Sequence, residues 1–176
     1  MEFNLTESIQ ILGKTPYVIS DILKDLPDTW IKTNEGGDTW SPYDIVGHLV
    51  HGEKTDWISR TLIILSEVTD KTFEPFDRFA QFKNSKGKTL DKLLNEFCQL
   101  RSENLQKLKA FKIDEQALMK TGVHPEFGPV TLKQLLSAWV VHDLGHINQI
   151  TRVMAKNYKI EAGPWPKYLA VLQDKL

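Results

Sequence analysis

The chain has 176 residues, 41% of them hydrophobic, and its 22 basic and 23 acidic side chains leave a formal net charge of -1. That length can bury one sizeable core and nothing in the composition asks for a second, so residues 1–176 are expected to form a single domain. The charges are dispersed without a basic stripe, which argues against a nucleic-acid partner, and no stretch reaches the roughly 20 apolar residues of a membrane span.

The first ten residues, MEFNLTESIQ, lack a cationic start followed by an apolar run, so a cytoplasmic setting is expected. Residues 5–26 then place Leu5, Ile9, Leu12, Ile19, Leu23 and Leu26 at helical spacing, with Pro16 expected to kink the helix. A second helix starts at Trp40-Ser41-Pro42. Ser41 can cap it, Pro42 suits the first helical position, and Asp44 completes a capping box. Only Gly52 interrupts it before about Ser66.

About 20 residues follow, too many for a bare loop. They include FEPFDRFAQF, with Phe at 73, 76, 79 and 82. One reading is a short helical turn over the end of the fold; the other is an aromatic wall or lid at a ligand pocket. A third helix opens at Thr89 and carries Leu90, Leu93, Leu94, Phe97, Leu100, Leu105 and Leu108 on one face. Its one cysteine, Cys98, reads as a packed thiol. After the breaker-rich GVHPEFGPV, Thr131 as N-cap with Gln134 three residues on starts a fourth helix that runs to about Asn157. GPWPKYLAVL reads as a half-turn and a short helix. Strand signals are nearly absent, so the expected fold is all-α: a four-helix bundle in which four apolar stripes bury one another.

The fourth helix raises a chemical question in VVHDLGHINQI. At 100° per residue, His142 and His146 share the stripe that faces the core. An inward imidazole without a partner costs about 1–3 kcal/mol. Either the two rings are satisfied core histidines, or the i, i+4 pair presents nitrogens to one divalent ion. A third ligand would come from the second helix. His48 shares its face with the small residues Gly52, Thr55 and Ser59, as a cavity wall would; His51 lies about 60° off and reads as a rim or surface residue. His48 is therefore the candidate. His124, before Pro125, reads as structural or solvated. Asp143 is about 100° from His142, too far round for a co-ligand but open to a supporting role. On the third helix, Arg101 and Asn104 interrupt the apolar stripe. They either snorkel to the rim, or Arg101 meets an anionic substrate in the cavity.

Four stretches resemble the DinB-like superfamily, also described as the YfiT and bacillithiol transferase-like group of metal-binding four-helix bundles: GKTPYVISDILKDLPDTW, TWSPYDIVGHLVHGEKTDW, HPEFGPVTLKQLLSAW and VHDLGHINQI. The most specific feature is the coincidence of Trp-Ser-x6-His with His-Asp-x-x-His. The resemblance spans essentially the whole chain. It implies a bundle with a long crossover between the second and third helices, a metal held by His48, His142 and His146, and a homodimer formed through the helices. Characterised members include thiol S-transferases and a thiol-dependent isomerase.

Three imidazoles leave at least one position of a divalent ion open, the mark of a catalytic site. The leading expectation is an enzyme that activates a low-molecular-weight thiol toward a small electrophilic substrate, with Zn²⁺ as the default ion and Ni²⁺, Fe²⁺ or Mn²⁺ compatible. The alternatives are a metal-dependent hydrolase, for which no general base stands out, and a non-enzymatic metal-binding stress module.

Overall fold

A computed structural model describes residues 1–173. α1 (Leu5–Leu23) begins where the Asn4 side chain accepts a 3.1 Å hydrogen bond from the Glu7 amide, one of the N–H groups that a helix start leaves unpaired. The helix is continuous through Pro16. Because proline has no N–H, the carbonyl of Leu12 loses its helical donor and is free for another. After α2 (Asp28–Ile31), one turn long, α3 (Pro42–Thr55) opens on the expected capping box: Ser41 accepts from the Asp44 amide and Asp44 accepts from the Ser41 amide.

α3 gives way to α4 (Trp57–Leu65) at Asp56, where φ is -112° and ψ -78°. Gly52 stays inside α3. The break is subtle, since Asp56 still donates to Gly52 and Arg60 to Asp56 at 3.0 and 2.9 Å. Its effect is to reorient one side chain without unwinding the rod.

The crossover contains α5 (Ala80–Asn84), so the helical reading of that segment holds for its last part. α6 (Leu90–Ala110), capped by Thr89, and α7 (Glu115–Met119) follow. One short hairpin joins the helices. β1 (Thr121–His124) and β2 (Gly128–Thr131) pair antiparallel, Thr121 opposite Thr131 and His124 opposite Gly128. Gly128, at φ 71°, takes the left-handed conformation that closes the three-residue loop. α8 (Leu132–Lys156) starts directly from β2 on the Thr131–Gln134 capping box. Two 3₁₀ turns, Trp165–Tyr168 and Ala170–Leu172, end the described chain.

α1 packs against α6 and α8, and α3 packs against the same two helices, which gives a four-helix bundle. Its apolar interior falls into two clusters. One gathers Leu12, Trp57, Leu105, Leu135 and Trp139; the other Ile19, Val50, Phe97 and Ile150. Along every long helix the residues between these clusters are polar and buried: Thr15 on α1, Glu53 on α3, Arg101 and Asn104 on α6, Asp143 on α8. A polar layer therefore crosses the bundle at one level.

The crossover is stitched to the hairpin. The Phe73 amide donates to Val123 O and the Val123 amide to Lys71 O, both at 2.9 Å, in a parallel bridge. This seats the Phe73 ring, 1% exposed, against Gly122, where an added Cβ would lie 2.4 Å from a ring carbon. Burying such a ring contributes about 1.5–3 kcal/mol.

Candidate metal centre

His48 comes from the middle of α3, and His142 and His146 lie one turn apart on α8. His48 Nε2 and His146 Nε2 each approach His142 Nε2 to 3.1 Å, and the three donor nitrogens lie within 4.8 Å of one another. The structure thus brings together the three histidines singled out in the sequence. A divalent ion bonding imidazole nitrogen at about 2.0–2.1 Å holds its nitrogens roughly 3 Å apart.

The protonation pattern tests whether an ion fits. Gln149 Oε1 lies 2.9 Å from His146 Nδ1, which makes Nδ1 the N–H donor and turns the Nε2 lone pair toward its neighbours. His142 Nε2 has two close nitrogen neighbours and at most one proton to give. Without a cation, at least one pair of nitrogens faces across 3.1 Å with no shared proton. A further proton is resisted, because burial and the neighbouring imidazoles hold His48 at about 3, and burial and His142 hold His146 at about 4. The donor set fits a divalent ion.

Aromatic rings back each imidazole. Trp40 lies 4.9 Å from the His48 ring and stacks over His146 at 6.5 Å; Phe76 meets His48 edge-on at 5.4 Å, and Trp57 meets His142 at 5.1 Å. Of the four crossover phenylalanines, Phe76 borders the cavity beside the histidines, Phe73 is core, and Phe79 and Phe82 are exposed. The histidines open on a cavity of about 820 Å³, bordered by Asp56, Arg60, Arg78, Gln149, Arg152 and the hairpin tip. That is within the range of small-molecule sites.

His51 is 8% exposed and packs on Phe76 at 5.0 Å, so it is a buried support for the wall and not a surface residue. His124 Nδ1 accepts from the Glu126 and Phe127 amides at 3.2 and 3.4 Å; it shapes the hairpin tip and borders the cavity.

Arg101 is placed differently from the substrate-facing position that its stripe offered. It is 1% exposed and absent from the cavity wall. Its Nε and Nη2 donate to Glu53 Oε1, Nη1 and Nη2 donate to the Asp143 carboxylate, and Nη1 also reaches Leu12 O at 2.7 Å, the carbonyl freed by Pro16. With every N–H engaged, no donor is left for an anion in the cavity. Burial opposes the charge of Asp143, but the His142 ring and Arg101 outweigh it and keep the carboxyl below its ordinary value. Asp143 Oδ1 stands 3.7 Å from His142 Nδ1, beyond hydrogen-bond length, yet close enough for its charge to favour the Nδ1–H form that leaves Nε2 as the donor.

Asp56 is the functional candidate that sequence reasoning missed. The break between α3 and α4 brings it to the cavity wall, with Oδ1 2.5 Å from Arg60 Nε. Burial pushes its carboxyl above the ordinary value against the pull of Arg60. The signal in the sequence was the i, i+4 spacing of Asp56 and Arg60 just beyond His48.

Curated proteins give no match to the chain. Among solved structures it is similar to YfiT from Bacillus subtilis, described as a probable metal-dependent hydrolase with an unusual four-helix bundle topology; the TM-score is 0.75 at 21% identity, over 89% of this chain and 90% of that one. Residues 11–150 match the model of the DinB superfamily. With most of its length covered by that match and the same bundle topology, the chain belongs to the DinB superfamily.

Proposed function

We propose that this chain is a divalent-metal-dependent enzyme for a small substrate, with His48, His142 and His146 as the protein ligands and transfer of a low-molecular-weight thiol to an electrophile as its reaction. The observation that carries the reading is the convergence of three Nε2 atoms at the edge of an open cavity, with no fourth His, Cys, Asp or Glu ligand among the described residues. A structural site is normally closed by four protein ligands. A bound ion supplies Lewis acidity, which lowers the pKa of a thiol or water in its open position. The chain's own contribution is placement. Gln149 sets the His146 tautomer, Asp143 and Arg101 favour that of His142, and Trp40 and Phe76 flank the rings in the cavity wall. Zn²⁺ is the default ion, with Ni²⁺, Fe²⁺ or Mn²⁺ compatible with the same ligands.

Hydrolysis is the second reading, and Asp56 favours it. A carboxyl of raised pKa in the cavity wall suits a group that accepts a proton from water and returns it to a leaving group. The description of YfiT as a probable metal-dependent hydrolase supports the same chemistry. A cytoplasmic homodimer completes the proposal: Tyr17 and Val18 on α1 and Val141 and Leu144 on α8, which pack as neighbours, are exposed apolar side chains.

The test begins with elemental analysis of the wild type beside His48→Ala and His142→Ala, with circular dichroism to check folding. The reading requires near-stoichiometric metal in the wild type and its loss from both folded variants. Metal-loaded protein is then given an aryl chloride with a panel of thiols, and activated esters without thiol. Turnover that needs both metal and thiol supports transfer. Thiol-independent ester cleavage that Asp56→Asn abolishes supports hydrolysis. Stoichiometric metal with neither activity makes the protein a binding module, and light scattering at the monomer mass removes the dimer.

A further inference from the structure

Three arginines border the cavity, and two of them are spoken for. Arg60 pairs with Asp56 at 2.5 Å, and Arg152 with Glu35 at 2.7 Å. Arg78 is the exception. Among the described residues no carboxylate lies within ion-pair distance of it and no acceptor takes a hydrogen bond from it, although Asp38 and Glu126 border the same cavity. What holds Arg78 is aromatic: its guanidinium carbon stands 5.9 Å from the Trp40 ring and 5.7 Å from the Phe79 ring.

That mode of support matters. A guanidinium resting on a ring face is oriented through its π surface, while its N–H bonds stay in its own plane, available to an acceptor that approaches from the side. A carboxylate or phosphate fits that fork with two parallel bonds. Trp40, which carries Arg78, is also the ring that lies on His48 and His146. One indole therefore sets the spacing between an unengaged cation and the three-nitrogen cluster.

We infer that the reactant entering this cavity carries an oxyanion, a carboxylate or phosphate, that pairs with Arg78 while its reacting group reaches the point shared by His48, His142 and His146. This rests on the reading of those histidines as metal ligands. It moves the anion-recognition role from Arg101, whose donors are consumed inside the bundle, to the crossover. The oxyanion and the reacting atom must be separated by a short linker, because the cation and the histidine cluster both lie against the same indole.

The test uses metal-binding probes that need no turnover. The monohydroxamates of succinate, glutarate and adipate each end in a carboxylate, and the matching primary amides are neutral. Both series are titrated calorimetrically into metal-loaded wild type and into Arg78→Met. We expect the best carboxylate probe to bind the wild type roughly five- to tenfold more tightly than its amide. Arg78→Met should erase that preference and leave amide affinity unchanged, and 0.5 M NaCl should weaken the preference in the wild type. No preference in the wild type, or a preference that survives Arg78→Met, overturns the inference. Elemental analysis of the same samples separates the two levels. An ion-free wild type overturns the metal reading and this inference with it, whereas ion-loaded protein without charge preference overturns this inference alone.

Discussion

Arg101 brings a cation into the bundle and sets it between the buried carboxylates of Glu53 and Asp143. Burial opposes its ionisation, yet the two carboxylates hold it above its ordinary value. Removing the cation would leave two buried carboxylates without a counter-charge, so Arg101→Met should lower stability by about 3–5 kcal/mol in urea denaturation. A loss under about 1 kcal/mol would show that the cluster does not support the bundle. The histidines predict a pH dependence of opposite character. Against an ordinary value of 6.5, His48 sits at about 3 and His146 at about 4, so the unfolded chain takes up protons that the folded chain refuses. Their contribution to the metal-free protein is complete above about pH 6.5 and fades as pH falls toward 4. The thermal midpoint of chelated protein should decline over that interval, and the double variant His48→Asn/His146→Asn should flatten the decline. At this scale the sequence was readable where one helix decides the matter. His142 and His146 follow from a four-residue spacing, but the partners of Arg101 lie 48, 42 and 89 positions away, at Glu53, Asp143 and Leu12. No helical period reports such a distance.

Elements were legible where chain ends are chemically marked. Ser41 with Asp44, Thr89, and Thr131 with Gln134 are caps whose side chains announce a helix start, and α3, α6 and α8 begin there. The hairpin escaped because its strands have four residues each, carry Gly122 and Pro129, and lack an alternating apolar pattern. Its stability comes from Phe73 and the crossover. Gly122→Ala is the corresponding test: the new methyl would meet the Phe73 ring at 2.4 Å and Ile64 at 2.9 Å. We expect a loss of about 1–3 kcal/mol, measured by thermal melting. An unchanged midpoint would mean that the ring shifts freely. The Asp56 break was hidden for a different reason, since the hydrogen-bond ladder passes through it and no breaker residue marks it.

For the molecule as a whole, the polar layer between the two apolar clusters means that the histidines are not the only buried polar groups at mid-height. Arg101, Glu53, Asn104 and Asp143 satisfy one another whether or not an ion is held. Chelation should therefore lower stability by an amount set by ion affinity, about 2.7 kcal/mol when free ion stands at a hundredfold excess over Kd, read as a drop in melting temperature, and leave the helical circular dichroism intact. Collapse of the helical signal on chelation would show that the ion is needed to build the bundle.

The backbone bridge between Thr72 and Val123 has a kinetic corollary. Two sides of the entrance, the strand-like start of the crossover and the hairpin, are laced by hydrogen bonds at Phe73 and Val123, so neither can swing aside by itself. Admission of a bulky guest then becomes one concerted opening, and the amides of Phe73 and Val123 should exchange with deuterium in step.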